Sequence, residues 1–298
     1  MLDKLEYLIA LSREQHFGRA AESCGVTQPT LSAGIKQLEE MLGVLLVQRG
    51  SRFIGFTAEG ERTLDWARRI VGDSRAMREE INALRHGLTG QLRIAAIPTA
   101  LAMVAQLTTP YRARHPDVRF TVWSRTSIEI LTQLENLEID AGVTYLDNEP
   151  LGRVNAVPLY QERYQLLTAP DAALGDRKRV TWKEVAQVPL CLLTPDMQNR
   201  RIIDGLLRSA GGAAVQPTLE SDSMILLFAH VRTGRWASVM PARLAETLGL
   251  TATIRAIPIV EPEAVHTIGL VVPPREPLTP LAAALVAEAK RLAAGLAE

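Results

Sequence analysis

Apolar residues recur at helical spacing in four separate stretches of the first ninety positions. The stretches cover residues 2–11, 17–24, 27–42 and 57–88. Gly25 and Gly43 follow the second and third stretches, as glycine does where a helix ends in the left-handed conformation. The pattern therefore predicts three short helices and a much longer fourth helix.

The third predicted helix has two chemically different sides. Its apolar side is formed by Leu31, Ile35, Leu38 and Leu42. Thr27 is placed to cap its first turn, and Pro29 lies within that turn, where a missing N–H costs nothing. The other side presents uncharged hydrogen-bonding groups and one cation, which suit base edges and phosphates: Gln28, Thr30, Ser32 and Lys36.

A basic hairpin is predicted directly after this helix. Leu45–Val47 and Phe53–Phe56 have the pattern of two short strands, and the turn between them carries Arg49 and Arg52. With Arg19, these arginines would contact phosphates beside a helix lying in the major groove. Polar helix faces are more often plain solvated surface, and the hairpin is what favours a winged helix-turn-helix here.

The fourth helix carries an apolar seam at alternating steps of four and three residues. Thr57 would cap this helix, with Glu59 and Glu61 in its first turn. A heptad seam of this length favours pairing with a second copy of the helix over packing on its own small domain. The seam consists of Thr63, Ala67, Ile70, Ser74, Met77, Ile81, Leu84 and Leu88.

From residue 89 onward, short apolar strands alternate with amphipathic helices, which predicts a parallel sheet covered on both faces. The predicted strands are Gln91–Ile97, Arg119–Ser124, Ala141–Thr144, Tyr164–Thr168, Leu190–Leu193, Pro217–Glu220, Ala237–Met240 and Val265–Val272. The predicted helices run from Pro98 to Arg114 and over Ser127–Leu137, Asn199–Ser209, Ser223–Thr233 and Pro280–Ala297. The chain is expected to leave a first lobe near residue 161 and to return near residue 266, which places a cleft between two α/β lobes.

Such a cleft is walled by the carboxyl ends of strands and by helix N-termini, which favour anions. A hydroxyl at a single helix start is usually an N-cap, but several around one cleft indicate a binding site for a small anion. The residues expected to line it are Thr99, Ala100, Thr126, Ser127, Thr194, Pro195, Met197, Gln198 and Asp222.

The composition argues against several classes of protein and site. The formal net charge is zero, so a DNA interface must arise from where the charges lie. Cys24 and Cys191 stand far apart and away from any metal-ligand spacing, which argues against a disulfide framework, a zinc site or any other metal site. An early acidic residue argues against a signal peptide, and no apolar run approaches a membrane span, so we expect a cytoplasmic protein without membrane contact.

Enzymatic chemistry has little support. The chain contains no phosphate-binding or dinucleotide glycine motif, and no cofactor is expected. The five histidines are scattered, without a paired nucleophile signature. A solute-binding protein that does not regulate genes is the alternative for the second half, although such a protein would not carry a DNA-binding head.

The ordered residues of positions 17–60 resemble the N-terminal signature of LysR-type transcriptional regulators. The matching features are Ala20–Ala21, the Gln28-Pro29-x-x-Ser32 opening, Leu38-Glu39, Leu42-Gly43, Arg49, and Thr57 with Gly60. Leu46 replaces the usual Phe, and Gly18 replaces a small hydroxyl residue. The stretches LRIAAIPTA, HPDVRFTV and LEIDAGV resemble the family's effector-binding domain, which is similar to type 2 periplasmic binding proteins.

The resemblance implies an overall α/β architecture in four parts. These are a winged helix-turn-helix at 1–58, a linker helix at 59–88, lobe I at 89–161 with 266–298, and lobe II at 162–265. It also places Thr99, Ser127 and the loop around Pro195–Gln198 at ligand positions. Trp236 stands where the family usually has Gly, and with Arg235 it would narrow the cleft, favour a small ligand or pack against the neighbouring strand.

The function implied is that of a ligand-responsive regulator which binds operator DNA. The family often activates a metabolic operon and represses its own gene, and it assembles as dimers through the linker helix and further as tetramers. A small anionic metabolite, such as a carboxylate, would be the co-inducer, and RNA polymerase is a candidate partner.

Overall fold

The computed structural model describes residues 1–49, 53–211, 215–249 and 253–297. They form two compact units. The first comprises Met1–Gly87 with the short segments Glu135–Glu138 and Leu278–Pro280. The second contains the remaining residues.

The first unit is a winged helix-turn-helix followed by a long helix. Its elements are α1 (Leu2–Glu14), α2 (Phe17–Ser23), α3 (Gln28–Leu42), β1 (Val47–Arg49), β2 (Phe53–Phe56) and α4 (Ala58–His86). Leu8, Leu11, Leu31 and Ile35 are fully buried at its centre, with Leu64 of α4 packed against the same core. The four predicted helices are therefore confirmed.

Side-chain caps define where these helices begin. The Thr27 hydroxyl accepts a hydrogen bond from the Thr30 N–H at 3.4 Å, and the Thr57 hydroxyl accepts one from the Gly60 N–H at 2.9 Å. The His16 ring, which the sequence did not single out, caps α2 by accepting from the backbone N–H of Gly18 at 3.1 Å. Gly43 ends α3 with a φ of 70°.

Two expectations for this unit were wrong in detail. Leu42 is 48% exposed and lies outside the core, because it is the last residue of α3 before the chain turns at Gly43. The first wing strand begins at Val47 and not at Leu45, whose side chain is 66% exposed.

The second unit is built on an eight-stranded sheet and a separate two-stranded sheet. The large sheet has the order β4-β3-β5-β12-β6-β11-β7, and β10 also pairs with β6, while β8 pairs with β9. The strands are β3 (Gly90–Ala96), β4 (Val118–Ser124), β5 (Ala141–Tyr145), β6 (Asn155–Thr168), β7 (Val180–Thr181), β8 (Cys191–Leu193), β9 (Leu219–Ser221), β10 (Ser238–Pro241), β11 (Arg255–Val260) and β12 (Val265–Val272).

Helices connect most of these strands. A 3₁₀ turn at Pro98–Ala100 leads into α5 (Leu101–Arg114). The others are α6 (Ser127–Glu135), α7 (Trp182–Val185), α8 (Gln198–Gly211), α9 (Met224–Val231), α10 (Ala242–Leu248) and α11 (Pro280–Ala297). No helix in the described ranges is long and apolar enough to cross a membrane.

The prediction of a purely parallel sheet was wrong. β3, β4 and β5 are parallel to one another, but β12 runs antiparallel to both β5 and β6. β6 is also much longer than predicted: it pairs with β12 through Arg163 and with β10 from Tyr164 onward. The short elements β7, α7 and α10, together with β11, were not predicted.

Candidate functional site

The recognition face of α3 is accessible over its first two turns. Gln28, Pro29, Thr30 and Lys36 are exposed, and Ser32 is half-buried. The hydroxyls of Thr27 and Thr30 lie 2.8 Å apart, so Thr27 is occupied by its capping role. The Lys36 ammonium is only loosely paired, with its Nζ 3.8 Å from a carboxylate oxygen of Glu40.

The predicted phosphate-binding arginines have different structural settings. Arg19 is exposed and donates from Nη2 to the Glu14 carbonyl at 2.7 Å, which fixes its guanidinium at the end of α1. The backbone of Arg49 lies in β1 opposite Phe53. Arg52 lies outside the described residues.

Glu39 joins the recognition helix to the wing. This carboxylate is only 5% exposed, and its Oε1 accepts from the backbone N–H groups of Leu46 at 3.0 Å and Val47 at 3.2 Å. The sequence showed Glu39 only as part of a family signature. The structure gives it the role of holding the start of β1 against α3.

The seam of α4 is exposed at some positions and buried at others. Ile81 is 52% and Leu84 is 82% exposed, and Ile70 and Met77 are also exposed. Other seam positions differ, since Ala67 belongs to the head core, Thr63 and Ser74 are half-buried, and Leu88 follows the end of the helix at His86. Trp66, which sequence reasoning missed, extends the apolar strip and has the Arg69 guanidinium 5.3 Å from its ring centroid.

In the second unit, the carboxyl ends of β3, β4 and β5 lie at one edge of the sheet because these strands are parallel neighbours. The segments that follow them therefore meet at this edge. Thr99 and Ala100 follow β3 and are buried. The hydroxyl of Thr99 has no hydrogen-bond partner among the described residues, while that of Thr126 accepts from the Glu129 N–H at 3.1 Å and acts as an N-cap.

The predicted residues around α8 and α9 are placed unevenly. Thr194 is half-buried and Pro195 is exposed. Met197 is buried in an apolar cluster with Met224. The remaining two are Gln198, whose side-chain amide donates to the Asp147 carbonyl at 3.2 Å, and Asp222, which is exposed. Asp222 lies directly before the N-cap of α9, which is Ser223 and accepts from the Leu226 N–H.

An arginine that the sequence did not single out lies beside Ser127. Arg201 of α8 forms a two-pronged ion pair with Glu149, with N···O distances of 2.7 and 2.9 Å. The Ser127 hydroxyl oxygen lies 3.4 Å from the Arg201 Nη2 and 3.5 Å from a Glu149 oxygen. Along the chain, Arg201 lies 52 positions from Glu149 and 74 positions from Ser127, which explains why local sequence patterns did not show this cluster.

A buried polar cluster joins β5, β6 and α8. The Tyr145 hydroxyl donates to the Glu162 carboxyl group, and the Asn199 amide donates to the Tyr145 oxygen at 3.0 Å. Burial, with a smaller contribution from Asp147, raises the pKa of Glu162 from 4.5 to about 8. Burial also raises the pKa of Tyr145 well above its ordinary value of about 10. At neutral pH both groups are protonated, so the cluster is held by neutral hydrogen bonds.

Trp236 packs inside the second unit. It contacts the apolar cluster around α9 and β10 and meets the His230 ring edge to face at 5.3 Å between centroids. This favours the packing role among these alternatives. Among the described residues, no group of three or more His, Cys, Asp or Glu side chains is arranged to hold a metal ion.

The fold and these surfaces define a winged helix-turn-helix protein with a ligand-binding type of second domain. Residues 2–61 match the pattern described as "Bacterial regulatory helix-turn-helix protein, lysR family", and residues 85–294 match the "LysR substrate binding domain". The chain belongs to the LysR family of transcriptional regulators.

Individual relatives agree over nearly the whole chain. The DNA-binding transcriptional dual regulator OxyR of Escherichia coli is 30% identical over 275 residues, covering 92% of this chain and 90% of the relative. A cysteine-to-aspartate variant of full-length OxyR from Pseudomonas aeruginosa superposes with a TM-score of 0.73 at 25% identity, covering 98% and 97%. Full-length CbnR complexed with its target DNA has the same fold, with a TM-score of 0.59 at 22% identity and coverage of 98% and 100%.

These findings identify the chain as a DNA-binding transcriptional regulator with a ligand-binding domain. Family membership places it among regulators and outside the enzymes, and it favours a regulator over a solute-binding protein without gene regulation. LysR regulators bind operator DNA and form oligomers.

Proposed function

We propose that the protein is a cytoplasmic, effector-responsive activator of a metabolic operon that also represses its own gene. A small anionic metabolite, most simply a carboxylate, biases two arrangements of the assembled protein and so changes how its heads engage DNA. RNA polymerase is its further partner in this proposal. The observation that carries the effector class is Arg201 beside the Ser127 hydroxyl at the N-terminus of α6.

The DNA interface in this proposal is the exposed face of α3 together with the wing. Gln28 and Ser32 read base edges, and Lys36 binds phosphate, because amide and hydroxyl groups discriminate bases whereas ammonium groups do not. The other contributing residues are Arg19, Thr27, Pro29, Thr30, Arg49 and Arg52.

The assembly is a dimer through α4 and a tetramer through further contacts of the effector domains. The exposed strip of Trp66, Ile70, Met77, Ile81 and Leu84 supports the first step, because large apolar side chains in a row on one helix face are unusual on a monomer. Pairing of two heads also matches operators that contain two half-sites.

The effector site comprises the residues at the carboxyl edge of β3–β5 and those that face them from α8 and α9: Thr99, Ala100, Thr126, Ser127, Thr194, Pro195, Met197, Gln198 and Asp222. We further propose the four-part division at 1–58, 59–88, 89–161 with 266–298, and 162–265. Changes in β6 pairing between Arg163 and Tyr164 support a boundary between lobes close to residue 162.

Peroxide is a poor candidate for the inducer, although several relatives are named hydrogen peroxide-inducible genes activators. A thiol that reacts readily with peroxide needs a lowered pKa and access to solvent. Cys191 is buried and its pKa is raised to about 11, and burial also raises the pKa of Cys24. These are the chain's two cysteines, and they lie in different compact units.

The proposal is tested by mapping, across the genome, the DNA bound by the full-length protein. Discrete sites with paired half-sites next to a metabolic operon are expected, together with a site at the protein's own promoter. A thermal-shift screen of the acids handled by that operon would then identify the effector. Binding that is uniform along the genome, or an operon whose expression is unaffected by deletion of the gene, would contradict the proposal.

A further inference from the structure

We propose that Glu149 is a built-in competitor of the effector. Its carboxylate occupies the place on Arg201 and Ser127 that the carboxylate of the effector takes, and the effector binds by displacing it. The inference rests on the proposed function of this edge of the sheet as an anion site. It adds the regulation of that site by a residue of the chain itself.

The geometry of Glu149 is that of a bound carboxylate ligand. Its two oxygens lie 2.7 and 2.9 Å from Nε and Nη2 of Arg201, so the planar carboxylate and the planar guanidinium meet side by side. The Ser127 hydroxyl lies 3.5 Å from one of these oxygens and completes a third contact. Arginine recognises free carboxylates through the same two-pronged arrangement.

The guanidinium is held in place independently of Glu149. Its Nη1 donates to the carbonyl of Asp196 at 2.5 Å and lies 3.4 Å from the carbonyl of Pro195, both in the loop before α8. Arg201 therefore keeps its orientation when Glu149 withdraws. The two N–H groups directed at Glu149 then remain available for another carboxylate.

Glu149 itself lies in a connecting segment. It stands in the connection between β5 and β6, outside any helix or strand. The Glu149 and Arg201 side chains are 31% and 33% exposed, so water screens their attraction and can replace it. An exchange of one carboxylate for another at this position costs little.

Two further features indicate that the site accepts more than Glu149. Ser127 is the first residue of the nine-residue helix α6, and the N-terminus of a helix favours an anion. Thr99, 3% exposed at the same edge of the sheet, has a hydroxyl oxygen without a partner among the described residues. Buried hydroxyls are normally hydrogen-bonded, which suggests that a ligand supplies this partner.

Competition from Glu149 raises the effector concentration that is needed to occupy the site. A carboxylate tethered by a short connection competes at an effective concentration on the order of millimolar. An effector present below that concentration must bind Arg201 better than Glu149 does, or make additional contacts such as one with Thr99. Removing the charge of residue 149 lowers the ligand concentration needed for half-occupancy.

The test uses the full-length protein and sodium acetate, a small carboxylate whose other end is a methyl group. Thermal unfolding is followed as acetate replaces sodium chloride at constant ionic strength. Glu149→Gln keeps the shape of the side chain, and Glu149→Ala leaves a space that acetate fills. In both variants a given rise in melting temperature should need an acetate concentration about tenfold lower than in the wild type, as expected for loss of a tethered competitor.

Two controls separate this effect from general salt binding. Adding Arg201→Met to Glu149→Gln should abolish the acetate response. Asp140→Ala removes the carboxylate from an ion pair with Arg93 of similar exposure, 23% and 32%, outside the proposed anion site, and it should gain no response. A response that is equal in Glu149→Gln and wild type, or that persists without Arg201, overturns the inference.

Operator binding is measured on the same variants, so that the two proposals can fail separately. If Glu149→Gln binds operator DNA but shows the acetate response of the wild type, the competitor role is refuted and the regulator stands. If the wild type binds no operator while the acetate responses appear as expected, the anion site and its competitor are supported and the proposed regulation of an operon fails.

Discussion

The buried carboxylate of Glu39 accepts a hydrogen bond from the backbone N–H of Leu46 at 3.0 Å, which joins the recognition helix to the first strand of the wing. Glu39→Ala leaves the N–H groups of Leu46 and Val47 without this acceptor and should lower the free energy of unfolding by about 2–3 kcal/mol. DNA binding should weaken at every sequence, because the wing loses its position relative to α3. Chemical denaturation and gel-shift titration measure the two effects.

Its neighbour Glu40 provides the matched control for this experiment. Glu40 is 63% exposed and lies 3.8 Å from Lys36, so Glu40→Ala should change stability by no more than about 0.5 kcal/mol. Equal losses of stability in Glu39→Ala and Glu40→Ala would show that the buried hydrogen bonds of Glu39 do not add to the stability of the fold.

Gln28 and Ser32 should matter more for specificity than for affinity in general. Replacing both with Ala should reduce binding to the operator by about 1–3 kcal/mol per lost base contact, with little change on random DNA. Lys36→Ala should instead weaken both kinds of DNA and reduce the salt dependence by about one unit. Binding isotherms at several salt concentrations distinguish the two patterns, and an equal loss on both DNAs for Gln28 and Ser32 would refute base reading.

The exposed strip on α4 should control assembly. Ile81→Glu with Leu84→Glu places charges on side chains that are 52% and 82% exposed in the single chain. We therefore expect little effect on folding but loss of the dimer in analytical ultracentrifugation, and operator affinity should fall with it. His86→Glu, about 200° around the helix from Leu84, should leave the dimer intact. A double variant that still pairs through this helix would show that the strip has another role.

Glu162 should give the stability of the protein a characteristic pH dependence. Its pKa is about 8 in the folded chain and near 4.5 when unfolded, so the folded state retains the proton between these values. Stability attributable to this group therefore falls as pH rises from about 4.5 to about 8. Glu162→Gln resembles the protonated form and should melt like the wild type near pH 5 but at a higher temperature near pH 8.

Glu184 supplies a control of the opposite sign. Hydrogen bonds from the backbone and side chain of Thr181 lower the pKa of this exposed carboxyl group. The stability it contributes is present at neutral pH and is lost as the pH falls through its folded-state pKa.

Melting profiles of wild type and Glu162→Gln that stay parallel from pH 5 to pH 8 would contradict the role assigned to Glu162.

Peroxide should leave the protein unaffected at concentrations that oxidise accessible thiolates. Burial raises the pKa of both Cys24 and Cys191, so neither forms a reactive thiolate near neutral pH. Operator binding before and after peroxide treatment should be the same in wild type and in the Cys24→Ser, Cys191→Ser variant. A peroxide-dependent change in the wild type that is absent from the variant would restore a thiol-based sensor.

The helix-turn-helix could be predicted because its signals are local. The Thr27 cap, Pro29 and Gly43 define α3 within seventeen positions, and the structure places each of them as the pattern indicated. Strand boundaries in the wing depended on a contact to Glu39, and so β1 was displaced by two residues. The mixed direction of the large sheet could not be derived, since strand order depends on where β12 returns after more than a hundred residues.

In the effector half too, features set by neighbouring residues could be predicted, whereas contacts between distant residues could not. Helix starts at Ser127 and near Gln198 followed from hydroxyl and polar residues close to each start. The pairing of Glu149 with Arg201 spans 52 positions, and neither residue stands in a motif. A charged pair of this kind is visible only once the fold has brought β5 and α8 together.

The 14-residue strand β6 has a consequence for how a bound effector is sensed. This strand pairs with β12 up to Arg163 and with β10 from Tyr164 onward. The peptide between these two residues lies between the two ladders, whereas bending elsewhere along the strand would distort one of them. The movement that converts occupancy into a transcriptional signal is therefore expected to be a small rotation close to this peptide, rather than a wide opening.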